Sequence, residues 1–169
     1  YIASQNLIPR SIINTHTHLD HIFGVKACVD KFAIPFLIHE KDVPVLAGAN
    51  ASAAMFGFPP LNVPAPSGFI REDEQLKLGQ DTVEVRFTPG HSPGSISFYF
   101  PAGEWVIAGD VLFNRSIGRT DLPGGDYDTL ISSIEKELFT LPESTKVFAG
   151  HGPSTTVGEE IRMNPFLKK

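Results

Sequence analysis

Seven residues of types that bind divalent metals punctuate this chain: His16, His18, Asp20 and His21 stand together, and His91, Asp110 and His151 follow far downstream. Imidazole with carboxylate and no thiolate suits Zn²⁺ first, and also Fe or Mn. Along an extended segment residues 16, 18 and 20 point to one side, because strand side chains alternate with period two. Two imidazoles and a carboxylate then converge on one volume, and His21, entering a helix, turns towards it. His91 lies in Thr88-Pro89-Gly90-His91-Ser92-Pro93-Gly94, Asp110 ends Ala108-Gly109-Asp110, and His151 sits in Gly150-His151-Gly152-Pro153. A lone histidine is more often structural than a ligand, and His39 takes that reading, as a cap or a hydrogen-bonding support. Five histidines sharing one strand-to-loop setting are not explained that way.

The elements that must position these residues are legible in outline. Ser11 to Asn14 reads as a strand feeding the first histidine loop. Ile22, Val25, Val29 and Phe32 have helical spacing, Phe36-Leu37-Ile38 is a buried strand, and Lys41 to Ala49 is a short helix with Pro44 in its first turn. Gly57 to Gly68 holds Pro59, Pro60, Pro64 and Pro66, a loop expected to border a cleft. Gln75 to Leu78, Thr82 to Thr88 and Ser95 to Phe100 alternate as strands, and Trp105 to Ala108 is a short apolar one. Asp126 is a good N-cap for a helix reaching about Phe139, and Lys146 to Ala149 is the last strand. Loops at one end of a sheet would gather the downstream ligands. Cys28, seven residues after His21, reads as a buried core residue.

Bulk properties narrow the class. The 169 residues, 41% hydrophobic, fit one domain over 1–169 with mixed strands and helices. No apolar run approaches the roughly 18 residues that span a bilayer. The net charge is −5, and no basic run is visible beyond Lys168 and Lys169, a short solvated tail, so nucleic acid is a poor partner. A single cysteine gives no internal disulfide, which reads as a cytoplasmic protein.

The run His16-Thr17-His18-Leu19-Asp20-His21 resembles the His-x-His-x-Asp-His signature of the metallo-β-lactamase superfamily, and His91, Asp110 and His151 match its later ligand motifs in order and setting. The resemblance implies an α/β fold, the αβ/βα sandwich, with the site at one edge of two facing sheets. It implies two divalent metal ions: one on His16, His18 and His91, a second on Asp20, His21 and His151, with Asp110 bridging. Family members usually carry several strands before the histidine loop, so the N-terminal strands are expected to be missing from this chain. Ser116 to Asp126 (Ser-Ile-Gly-Arg-Thr-Asp-Leu-Pro-Gly-Gly-Asp) and Gly150 to Glu159, with Asn164-Pro165-Phe166 after, look like the glyoxalase II-like (hydroxyacylglutathione hydrolase) branch. The short form lacks that branch's C-terminal helical extension, which supplies glutathione contacts. A bridging Asp110 argues against β-lactamase as the main activity.

The resemblance therefore implies a thioesterase acting on S-acyl-glutathione or a similar small thioester through a metal-bound hydroxide. A two-metal site lowers the pKa of a shared water from 15.7 to about 7, and a thiolate leaving group needs little acid help. Asp20 and Asp110 are the catalytic carboxylates, Asp20 also orienting the hydroxide. Arg119 could pair with a substrate carboxylate, or structurally with Asp121 or Asp126; Asn114 and Arg115 are weaker substrate-binding candidates. The runner-up is a mononuclear-iron persulfide dioxygenase of the same superfamily, using the equivalents of His16, His91 and Asp110. A non-catalytic metal-binding scaffold would show a lost ligand, and none is lost; a nuclease would sit poorly with the acidic balance.

Overall fold

The computed structural model describes residues 1–167; the Lys168–Lys169 tail lies outside them. In chain order the elements begin with β1 (Ile12–Ile13), α1 (Leu19–Ile22), α2 (Val25–Phe32), β2 (Phe36–His39), α3 (Val43–Ala47), α4 (Ala49–Met55) and β3 (Gly68–Ile70). Then come β4 (Gln75–Leu78), β5 (Asp81–Phe87), β6 (Ile96–Phe100), β7 (Trp105–Gly109), β8 (Leu112–Phe113) and β9 (Ser116–Ile117). The chain closes with α5 (Tyr127–Ser133), running into a π-helical turn at Ile134–Leu138, then β10 (Lys146–Ala149), β11 (Thr155–Thr156) and α6 (Val157–Met163). Among the described residues no helix is long and apolar enough to cross a membrane.

Two sheets face each other. One is parallel, ordered β1-β2-β3; the other has six strands, ordered β11-β10-β7-β6-β5-β4, and β8 and β9 form a separate hairpin. Strand alternation decides what each face meets. Ile96, Phe98 and Phe100 of β6 pack with Val83 and Val85 against Leu37 and Ile70 of the parallel sheet, forming the layer between the sheets. Tyr99, pointing the other way, joins Val106, Ala108 and Val147 beneath Leu130, Ile134 and Leu138, which recur every four residues along the helix after Asp126. Phe36 and Ile38 of β2 meet Ile22, Val25 and Ala49 on the outer side. Helices thus cover the outer face of each sheet, giving four layers, αβ/βα.

Local chemistry sets the ends of these elements. Asp126 accepts from the Thr129 amide at 2.7 Å and starts α5, and Thr156 does the same for α6 through Glu159. Pro44 falls in the first turn of α3, where its missing N–H costs nothing. The helical region beyond Lys41 extends further than its sequence signal, because α4 continues to Met55 after a break at Gly48. Cys28 is half-buried on α2 instead of buried, since the apolar stripe of that helix runs through Val25 and Val29.

Strand direction explains the gathering of the ligands. Strands β5 and β7 both run antiparallel to β6, and β10 runs parallel to β7. Their C-terminal ends therefore share one edge, and from that edge leave the loops with His91, Asp110 and His151. The Ile96 amide donates to Thr15 O at 2.9 Å, which fastens the histidine loop after β1 to the same edge.

Candidate metal centre

The loop after β1 is shaped by its own side chains. Asn14 donates from Nδ2 to the carbonyls of His16 (3.3 Å) and His21 (2.9 Å), folding the loop back on the start of α1. His16 and His18 lie in the extended stretch, but Asp20 is already inside α1. Period two therefore applies to the two histidines, and Asp20 and His21 reach the site from a helical turn instead.

A residue outside the sequence reading holds this loop against the one bearing His91. Asp42, fully buried, accepts from the Thr17 amide (2.5 Å) and hydroxyl (2.6 Å) on one oxygen. Its other oxygen accepts from the Ser92 hydroxyl and from the Gly94 amide at 3.0 Å. A Cβ at Gly94 would come within 2.5 Å of the Asp42 main chain, so the loops meet there only with glycine. The sequence signal was an acid just before the Val-Pro start of a helix; it resembles a cap, but the carboxylate caps nothing and turns inward.

The ligand-type side chains form two abutting sets. His16, His18 and His91 offer nitrogens within 4.8 Å of one another, and Asp20, His21, Asp110 and His151 form a second group on the same measure. Between the first three, His18 Nδ1 and His91 Nε2 stand 2.8 Å apart. His91 Nδ1 donates to Arg119 O at 2.8 Å, which leaves Nε2 facing the centre. Asp110 lies at the seam: Oδ1 is 3.3 Å from His21 Nε2, and Oδ2 is 3.4 Å from His151 Nε2 and 3.7 Å from His91 Nε2. Asp20 Oδ2 is 2.8 Å from His151 Nε2.

Whether these residues fit divalent cations is answered by their unsatisfied atoms. His16 Nε2, His21 Nε2 and Asp110 Oδ1 are buried without a hydrogen bond, an expensive arrangement unless something else fills their valence. Gly150 leaves the space: a Cβ there would stand 2.1 Å from Asp110 Oδ1 and 2.9 Å from His21 Cε1. The hard and borderline donor set fits Zn²⁺, Fe or Mn, and Cys28 lies outside it.

Protonation follows from position. Burial, then the neighbouring histidines, holds His16 well below the usual imidazole range; burial and His91 bring His18 down to about 4. Burial also lowers His91, outweighing the Arg119 carbonyl and Asp110. All three are therefore neutral near pH 7, as ligation requires. Burial disfavours charge on His21, but Asp110 and then Asp20 outweigh it and raise its pKa. Burial likewise pushes Asp110 up, but His21, His91 and His151 win and lower it.

The remaining candidates separate. Arg119 reaches the rim of the cleft in front of the centre, with its guanidinium forked onto Asp121 at 2.7 and 2.8 Å. Asn114 and Arg115 sit on the β8–β9 turn and do not line that cleft; the Arg115 amide, at φ +59°, donates to the buried carboxylate of Glu160. Glu160 also accepts from Asn164 Nδ2, which donates to Ser116 O, so α6 braces the hairpin. His39 accepts from the Lys41 amide through Nδ1, the capping role its setting implied. The cleft holds about 810 Å³ and is walled by α3, α4 and the segment after β9; the proline-rich stretch stays off it.

Residues 5–151 match the family model of the metallo-β-lactamase superfamily. The chain is 45% identical over 169 residues to the probable metallo-hydrolase YqgX of Bacillus subtilis, covering 99% of this chain and 80% of that protein. It is 40% identical over 168 residues to the hydroxyacylglutathione hydrolase GloC of Haemophilus influenzae, covering 98% and 79%. Among solved structures, the BLEG-1 B3 metallo-β-lactamase superposes with a TM-score of 0.91 at 42% identity, covering 99% and 81%. TTHA1623 in a di-iron-bound form gives 0.90 at 40%, covering 98% and 81%.

Proposed function

The chain belongs to the metallo-β-lactamase superfamily, and we propose that it is a metal-dependent hydrolase that cleaves small thioesters, S-acyl to acid plus thiol. The observation that carries the proposal is the pair of abutting donor sets meeting at Asp110. Two divalent cations, Zn²⁺ first, would be held by them, supplying an acidified water and a Lewis acid for the carbonyl. The likeness to a protein named di-iron-bound supports two ions, and the likeness to GloC supports a thioester substrate.

The chain's own residues do the rest. His16 and His91 present neutral imidazoles from buried positions, and His18 presents its own from the floor of the cleft. Asp110 serves both sets from the seam. Asp20, about half exposed, lines the cleft 2.8 Å from His151 Nε2, where its carboxylate would help hold a cation and orient the attacking hydroxide. No Lys, Cys or Tyr stands among the described residues lining the cleft, and its histidines belong to the two donor sets, so none would be left to protonate the leaving group once cations are held. A thiol of pKa about 8.5 departs as thiolate without one; an amine would not. On this reading the partner is a small-molecule thioester, and the absence of nucleic-acid and membrane partners and a cytoplasmic setting belong to the same proposal.

The test is metal quantification on the full chain together with turnover of S-D-lactoylglutathione and S-acetyl thioesters. Two ions per chain with thioester hydrolysis is the expected result. One Fe per chain with O₂ consumed on glutathione persulfide would overturn it in favour of the dioxygenase. The likeness to BLEG-1 gives a second reading, β-lactam hydrolysis, and nitrocefin turnover without thioester turnover would establish that instead.

A further inference from the structure

The wall opposite the metal centre is apolar and left in water. Met55 is 77% and Phe56 53% exposed at the end of α4, and with Val45 they face a cleft whose floor is His18, Asp20 and His151. Phe113, Ile117 and Leu122 close the other side. Contiguous apolar surface of this kind, rimmed by polar groups, marks a ligand groove, and the cleft is of small-molecule size.

Charge decides what the groove suits. Among the described residues lining it, Arg119 is the one Lys or Arg, and both forks of its guanidinium are taken by Asp121. An S-acyl-glutathione carries two carboxylates and an ammonium, and each needs a partner or water when brought against apolar walls. Among the described residues lining it, the cleft provides the Asp20 carboxylate and no Lys or Arg free to receive either carboxylate of the substrate.

We propose that the substrate of this site is a thioester with an uncharged apolar arm, seated along α3–α4, and that glutathione thioesters are the poorer class. The inference rests on the thioesterase reading and narrows it. The apolar arm is either the acyl group or the thiol, and both offer the wall the same chemistry.

Two substrate series on the metal-loaded full chain separate the sources: N-acetylcysteamine thioesters from acetyl to octanoyl, and acetyl thioesters of alkanethiols from ethyl to hexyl. In one series kcat/KM rises about two- to fourfold per methylene until the cleft is filled, as burial of a CH₂ against an apolar wall gives. Met55→Lys lowers the ratio of long-chain to S-D-lactoylglutathione turnover at least tenfold. Because this is a ratio on one preparation, a partly unfolded fraction cancels; Met55→Gln, which adds no charge, moves it less. Flat series with S-D-lactoylglutathione turned over as well as the longest chains would overturn the inference while leaving the thioesterase reading intact. No hydrolysis of any thioester would overturn both.

Discussion

His16, His18 and His91 are fixed from behind, whereas Asp20 and His151 stand half in solvent. His16 and His91 are 1% and 3% exposed, and Asp42 and the Arg119 carbonyl lock the loops that carry the first group. The His151 and Asp20 side chains are 59% and 48% exposed; they meet each other at 2.8 Å, and reach Asp110 and His21 at the longer distances of 3.4 and 3.5 Å. A ligand set already ordered loses little side-chain entropy on binding; an exposed set must be ordered by the ion it holds. On the proposed two-ion reading, the buried set would retain its cation, and the open set would exchange its own or move with the substrate. Asp110, 11% exposed by side chain, groups with the open set and lies 3.7 Å from His91 of the buried one.

The largest effect comes from cutting the seam. Asp110→Ala removes a carboxylate from both sets, and kcat/KM on a thioester falls roughly 10³-fold or more, since water without metal assistance is a very poor nucleophile at pH 7. Metal content falls in both positions. If only the open position emptied, Asp110 would belong to that half alone.

Asp42→Ala attacks the buried half from outside its ligands. The Thr17 and Gly94 amides and the Ser92 hydroxyl lose their acceptor in a dry setting, each at about 1–3 kcal/mol. Urea unfolding of the metal-free protein therefore shows a loss of several kcal/mol. Asp42→Asn keeps the shape and part of the acceptance, and costs less. In that milder variant the tighter metal site weakens about ten- to a hundredfold, as support residues behind ligands do, and the weaker site changes little. Equal weakening of both would erase the distinction between the halves.

His151→Ala sharpens the comparison from the other side. Chelator competition is expected to show one ion lost readily and one retained, with the weaker site down about ten- to a hundredfold. His16→Ala in the same assay removes the tight ion.

How much of this was legible depended on whether a residue's reason for being there is local. The ligand types and their strand-end settings were on the page, and alternation and capping placed β6, β7 and the helix at Asp126 within a residue or two. Period two misplaces Asp20, because the helix that the apolar spacing starts at His21 begins two residues earlier, at Leu19. Asp42 and Glu160 were invisible. Their partners lie 25 to 52 residues away for Asp42 and 45 for the Arg115 amide, and period or composition does not encode such distances. The apolar wall was missed for a related reason: α4 carries Met55 and Phe56 on its solvent side, where a core-seeking reading discounts them. The proline-rich stretch, the obvious loop, took the credit.

A pH effect of moderate size probes the support of the buried half. His39, 3% exposed and stacked on Phe87 with ring centroids 4.7 Å apart, has its pKa lowered by burial, against the pull of Glu72. A lowered folded-state pKa means the unfolded chain takes the proton more readily. Stability from His39 is thus whole above about pH 6.5 and is lost as pH falls towards the folded value. His39→Gln makes unfolding free energy less dependent on pH between 7.5 and 5, by up to about 1.4 kcal/mol for each pH unit of the lowered range. An unchanged slope would mean that the ring is solvated.

The smallest effect tests whether Arg119 serves the two halves with different atoms. Its carbonyl accepts from His91 Nδ1 and so orients a buried ligand; its guanidinium points out to Asp121. Arg119→Ala keeps the carbonyl and deletes the fork. The Asp121 carboxyl, held down to about 2 by that fork, relaxes towards the ordinary carboxylate range, which NMR titration reads directly. An exposed pair contributes little to stability, so Tm is expected to hold. KM for an uncharged thioester stays within about twofold, because no lost contact faces the substrate. If KM for S-D-lactoylglutathione instead rose tenfold with kcat unchanged, the arginine would leave Asp121 for a substrate carboxylate on binding. The cleft would then have a usable cation after all, and the open half of the centre would be a specificity site as well as an exchangeable one.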